Sequence, residues 1–167
     1  MKESRELYEK RVSLTLAGFQ VTEFLLKEYI ALSYDLMRYV LRDHIDFSAS
    51  RRDVENHSLE RLISTFKTIN GNKDLIRQLQ SVVDHRNRIA HKSLLPLYGQ
   101  KTSDQEYWAL IDEISPLESE IDRCMSGMQA EIDGLKRKSQ SVLGRGNEAA
   151  SNSSQAAHTD VRRPELK

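Results

Sequence analysis

From Ser4 to about Phe47 the chain carries neither proline nor a cluster of turn residues, and its apolar positions keep a helical period. One stripe runs through Leu7, Leu14, Gly18, Val21, Leu25, Leu32, Leu36 and Tyr39. A second, nearly opposite, runs through Val12, Phe19, Leu26, Ile30, Met37 and Leu41. A helix apolar on two sides is buried from two sides. In a chain of 167 residues the second face is read as a dimer interface. Gly18 either permits close approach on the first stripe or marks a kink.

Ser48–Asp53 reads as a loop, followed by a second helix carrying Leu59, Leu62, Ile63, Phe66 and Ile69. Asn70-Gly71 closes that helix, and Asn72 is placed to cap a third beginning near Lys73. Pro96 should stop the third helix around Leu95, with a loop over Leu97–Lys101. Ser103-Asp104-Gln105-Glu106 has capping-box form, as does Ser115-Pro116-Leu117-Glu118 with proline at the first helical position. The stripe Tyr107, Leu110, Ile114, Leu117, Ile121, Met128 and Leu135 nevertheless runs across Pro116. This is either two helices or one long helix kinked there. From Ser139 the residues turn polar and small, which predicts a disordered tail over 139–167 behind a helical domain over 1–138. The expected fold is all-α: an up-and-down bundle of four to five helices.

The third helix contains the anomaly of the chain. Leu75, Leu79, Val82, Val83 and Ala90 define its apolar stripe, and Arg86 falls within about 20° of the middle of that stripe. A guanidinium on a face that should be buried is unfavourable unless it meets an anion or water. Asn87 and His91, four apart, share the flank and can touch. This set suits phosphodiester chemistry without a metal. Histidine can move a proton near neutral pH, and arginine forks onto phosphate oxygens and stabilises the charge that builds on them. Asparagine can orient the ring or the phosphate. Arg86 and His91, however, diverge by about 140° on a regular helix. Two copies of the motif facing each other across a twofold axis would complete one site, so a homodimer is expected.

Charge sharpens the location. Lys and Arg together equal Asp and Glu at 25 each, so the whole chain carries no polyanion-binding signal. The charges are nevertheless segregated. Lys73, Arg77, Arg86, Arg88, Lys92 and Lys101 face only Asp74 and Asp84 across the motif region, whereas acids crowd Asp104–Asp133 around Arg123 alone. Such segregation either steers an anion to the motif or reflects solvated helix faces. A lone Cys124 excludes a disulfide framework or a thiolate cluster. The charged start, Met-Lys-Glu-Ser-Arg-Glu, lacks a signal-peptide core, and no apolar run is long enough to span a bilayer. A soluble cytoplasmic protein without membrane contact is expected.

Arg86-Asn87-Arg88-Ile89-Ala90-His91 resembles the Arg-polar-x-x-x-His motif of HEPN domains, and the likeness extends over roughly Arg5–Lys138. HEPN domains are small, commonly dimeric helical bundles, and many are metal-independent endoribonucleases of toxin–antitoxin, abortive-infection and other anti-phage defence systems. The resemblance implies an RNA substrate, no metal or other cofactor, and an antitoxin or regulatory protein that restrains the activity. It makes His91 the general acid/base, Arg86 the phosphate ligand and Asn87 the orienting group. Glu23 is a supporting candidate, since some HEPN ribonucleases use an acid from an early helix; the other reading pairs it with Lys27. Family members paired with a nucleotidyltransferase usually carry tyrosine two residues after the histidine, where this chain has Ser93. Arg88, Lys92 and His85 are candidate RNA contacts, although Arg88 could instead pair with Asp84 and His85 could be plain surface. His44, His57 and His158 show no ligand spacing, and no metal is expected. The alternatives are a non-catalytic HEPN-like module binding a nucleotide, RNA or protein, and a helical oligomerisation scaffold.

Overall fold

The computed structural model describes residues 2–98 and 101–157, with side chains as far as 144. Every regular element among them is helical. In chain order they are α1 (Lys2–Leu41), a 3-10 turn (Arg51–Asp53), α2 (Leu59–Ile69), α3 (Lys73–Lys92), a short α4 (Leu95–Tyr98) and α5 (Asp104–Ala157). α1 packs most extensively on α5, α5 also packs on α3, and α2 lies against both α1 and α3.

The second face of α1 proves to be core, and part of the first, Leu7, Leu25 and Leu32, also packs on it half-buried. Val12, Phe19, Leu26 and Ile30 are at most 2% exposed and form the core with Leu62, Phe66, Leu79, Val82 and Met128. They cannot form the expected dimer seam. α1 packs against α5, α2 and α3 of its own chain, which bury this face from within. The large apolar residues of α1 left exposed are Leu14 and Val21 of the first stripe, Phe24 at its edge, and Val40 near the end of the helix. Gly18 marks a close approach: a Cβ there would sit 2.6 Å from Cγ2 of Ile121 on α5.

Local chemistry sets most helix ends. Ser58 accepts from the Arg61 amide at the start of α2, and Asn72 accepts from the Leu75 amide at the start of α3. The three residues between α2 and α3 are also held from a distance, because Asn70 and Asn72 both donate to Glu131 of α5, each at 2.8 Å. Ser103 and Glu106 exchange both bonds of a capping box at the start of α5. α5 then runs unbroken across Pro116, which settles the two-helix alternative. Ser115, just before the proline, donates to the Ile111 carbonyl. α3 stops at Lys92, three residues earlier than Pro96 alone suggests, with Ser93 as its cap. Pro96 stands in the first turn of α4, where its missing N–H is no loss, and Leu97 and Tyr98 are helical rather than looped. The tail expected from Ser139 begins as a continuation of α5, which is helical to Ala157 although its last buried core residue is Ile132. Residues 158–167 lie outside the described residues.

The unequal lengths of α2 and α3 leave one end of α3 uncovered. α2 spans about 16 Å and α3 about 30 Å at 1.5 Å per residue. The turn at 70–72 folds α2 back along α3. A shallow cavity between them, lined by Glu60, Ile63 and Ser64 on one side and Gln80, Val83 and Asp84 on the other, marks where α2 begins. α3 continues for two turns past that point.

Candidate functional site

Those two uncovered turns carry the motif. The buried row of α3 is Leu75, Ile76, Leu79, Val82 and Ile89, with Ile89 in place of the expected Ala90, which is half-buried. Arg86 stands in that row, four residues after Val82 (0% exposed) and three before Ile89 (6%). Its side chain is nevertheless 39% exposed. It turns toward α1, where Nη2 lies 3.6 Å from Oε1 of Glu23, and Nη1 donates to Oδ1 of Asn87 at 3.3 Å. Glu23 is the more enclosed partner, at 23% exposure. Lys27, the competing partner for Glu23, instead donates to the Glu55 carbonyl at 2.5 Å.

His91 is exposed in the last turn of α3, and Asn87 is exposed one turn before it. The structure thus joins Arg86, Asn87 and Glu23 in one contact chain, and leaves His91 on the neighbouring surface without joining it to them. Helical geometry demands this divergence of Arg86, five residues away; Asn87, four away and expected to meet the histidine, accepts from Arg86 instead.

The other cations lie on the α5 side of α3. Arg88 contacts Glu113 at 2.6 Å, rather than Asp84, and its Nη2 is 3.2 Å from Nδ1 of His85. His85 is therefore tied to Arg88 and half-buried, whereas Lys92 is exposed. Sequence reasoning missed Glu113; it is one residue in an acidic run, and only packing shows which acid meets Arg88.

The chain after His91 is pinned by side chains that meet otherwise orphaned helix-end carbonyls. The Tyr8 hydroxyl donates to the Ser93 carbonyl at 3.0 Å, Tyr107 to the Pro96 carbonyl at 2.7 Å, and Arg5 to the Leu97 carbonyl at 2.9 Å. Ser93 is itself buried, with its hydroxyl turned back to the Ile89 carbonyl. Burial, followed by the nearby Glu113 and Tyr107, raises the Tyr8 phenol above its ordinary value, so Tyr8 stays a neutral donor. Leu94, Leu95 and Tyr98 emerge on the surface just beyond, 46%, 49% and 76% exposed. Tyr107 is core, Trp108 is at the rim, and Cys124 is fully buried, so no thiol is offered to solvent.

Among the described residues no group of three His, Cys, Asp or Glu side chains gathers as a metal site, and no helix is long and apolar enough to cross a membrane. Compared with protein-family models, curated proteins and solved structures, the chain matches none.

Proposed function

We propose that this chain is a metal-independent endoribonuclease of HEPN type, acting as a toxin or anti-phage defence effector. The observation that carries the reading is the state of Arg86. It occupies a core position of α3, yet its guanidinium reaches water at the uncovered end of the helix, oriented by Glu23 and Asn87. A residue needed only for packing there would be apolar. In this reading Arg86 binds the scissile phosphate. The His91 imidazole takes the proton of the ribose 2′-hydroxyl, whose oxygen attacks phosphorus. The bond to the 5′-oxygen breaks, and that oxygen leaves with a proton from the second copy's histidine. A cyclic phosphate and a free 5′-hydroxyl result. The second copy docks beside the exposed Leu94, Leu95 and Tyr98, the apolar surface next to His91. A dimer through Leu14 and Val21 would lie on the opposite side of α1 from Glu23 and would keep the two motifs apart. A cytoplasmic setting and a restraining antitoxin or regulator belong to the same proposal.

The Arg86–Glu23 contact also favours a second reading, a non-catalytic HEPN-like module in which the pair orders the helices and the surface binds RNA or a nucleotide without cleaving it. Wild type and His91→Ala, compared for growth arrest and for RNA cleavage in EDTA, separate the two. The proposal expects chelator-resistant cleavage that His91→Ala abolishes. Equal behaviour of the two proteins would sink it, and loss of cleavage on chelation would sink the metal-free mechanism.

A further inference from the structure

A cavity of about 210 Å³ opens between α1, α3 and α5 beside the motif. Its walls are Tyr8, Ile89, Pro96, Leu110 and Ile114 with the buried Ser93, whose hydroxyl and carbonyl are already paired, and its exposed charged residues are Arg88, Lys92 and Glu113. It is smaller than the pockets that hold drug-sized ligands, roughly 300 Å³ and above, and suits one flat ring system. The floor is apolar and the polar groups converge at one edge, which is how a protein takes a planar heterocycle and reads its rim.

The rim presents a specific pattern. Arg88 and Glu113 touch at 2.6 Å through Nη1 and Oε1 while Arg88 Nη2 meets His85 Nδ1 at 3.2 Å, so the N–H groups that these contacts leave over stand beside a carboxylate acceptor. Guanine carries the complement along one edge: O6 accepts, and N1–H and the 2-amino group donate. Adenine places an acceptor, N1, where guanine has a donor, and would face the carboxylate with a lone pair. Cytosine and uracil each reproduce part of the pattern. Both side chains are about half exposed, at 43% and 51%, so their mutual attraction is weak and a base can share it. Lys92, one turn beyond Arg88 on the same face, is placed for a phosphate.

We infer that this cavity is a guanine subsite. In the ribonuclease reading, on which its RNA ligand rests, it holds a guanine next to the scissile phosphate. Along α3, Arg88 and His91 are three residues apart, about 60° around the axis and about 4.5 Å along it, within one nucleotide's reach, whereas Arg86 lies about 160° from Arg88, so the arginine on this phosphate is Arg86 of the partner subunit.

The test uses the full chain carrying His91→Ala, so that binding is read without cleavage. Its affinity is measured for the four 5′-mononucleotides and for 2′-O-methyl single strands that contain or lack guanine. The subsite expects GMP to bind at least tenfold more tightly than AMP, and Glu113→Gln to erase that preference. It also expects Lys92→Gln to weaken all nucleotides alike. A guanine-containing strand that binds more tightly than GMP assigns the base to RNA; equal affinity assigns it to a free guanine nucleotide. Affinities indifferent to base, or a preference that survives Glu113→Gln, overturn the subsite and leave the ribonuclease reading standing. A guanine preference in the His91→Ala chain together with a wild type that cleaves no RNA does the reverse.

Discussion

Replacing Arg86 and Glu23 together by leucine should stabilise the protein while ending the RNA cleavage proposed for it. At 3.6 Å the gross attraction of the pair is about 4–5 kcal/mol at an effective dielectric constant of 20. Most of that is offset by desolvation, and partly exposed pairs retain about 0–1 kcal/mol net. Leucine at 86 would lie between Val82 and Ile89, and leucine at 23 would extend the same contact on α1. Full burial of a leucine contributes roughly 1.5–3 kcal/mol, and partial cover at these sites gives about half of that each. After loss of the pair, a gain of about 1–2 kcal/mol remains, in line with what swapping a buried ion pair for apolar residues gives elsewhere. Urea unfolding followed by circular dichroism should show the midpoint rising by about 0.5–1 M, taking a slope of about 2 kcal/mol per molar. Arg86→Leu alone should destabilise, because Glu23 is then left enclosed without a partner. A double variant less stable than wild type by about 1 kcal/mol or more, the size of a typical single-site effect, would refute the reasoning. It would show that Arg86 is held in the row by its structural worth, leaving its charge without need of a functional cause.

Gly18→Val should destabilise by about 2 kcal/mol or more, since even a Cβ at 18 meets the branched Ile121 at 2.6 Å; overpacking of this kind typically exceeds the roughly 1 kcal/mol that removing a helical glycine returns. A rise in the urea midpoint would contradict the close α1–α5 approach. Burial pushes the Cys124 thiol up to about 11. The unfolded thiol ionises first, near about 8.5, so this stabilising contribution is complete below that value and is lost as pH rises toward 11. Cys124→Ala should flatten that part of the alkaline stability profile, and an unchanged profile would count against it.

Much of the fold was legible where cause and effect are neighbours in the chain. Asn72 announces the start of α3 because its own side chain meets an amide three residues on, and Ser103 with Glu106 does the same for α5. The faces of α1 were not legible, because periodicity reports that a face is buried without saying by what. Phe19 and Leu26, which look like a seam between two chains, are covered by this chain's own helices, so charging them would test folding instead of association. Pro116 was ambiguous because a proline within a helix and one beginning a helix leave the same sequence trace. Of the candidate site, Arg86's intrusion could be read from helical angles, but the expected Asn87–His91 pair does not form, because the Asn87 amide oxygen accepts from its neighbour Arg86 instead. That Glu23 chooses Arg86 over Lys27, and that Arg88 chooses Glu113 over Asp84, depends on which helices become neighbours.

The brevity of α2 has a consequence for how such a site could be gained or lost. α2 stops covering α3 near Asp84, and every polar residue of the motif lies beyond that point. Two further turns at the start of α2 would lay a helix over Arg86 and Ala90 and turn that face of the cleft into ordinary interior. No residue of the motif itself need change. Length variation at the junction around Ser58 would then cover or expose Arg86 as a single step, with no substitution in α3.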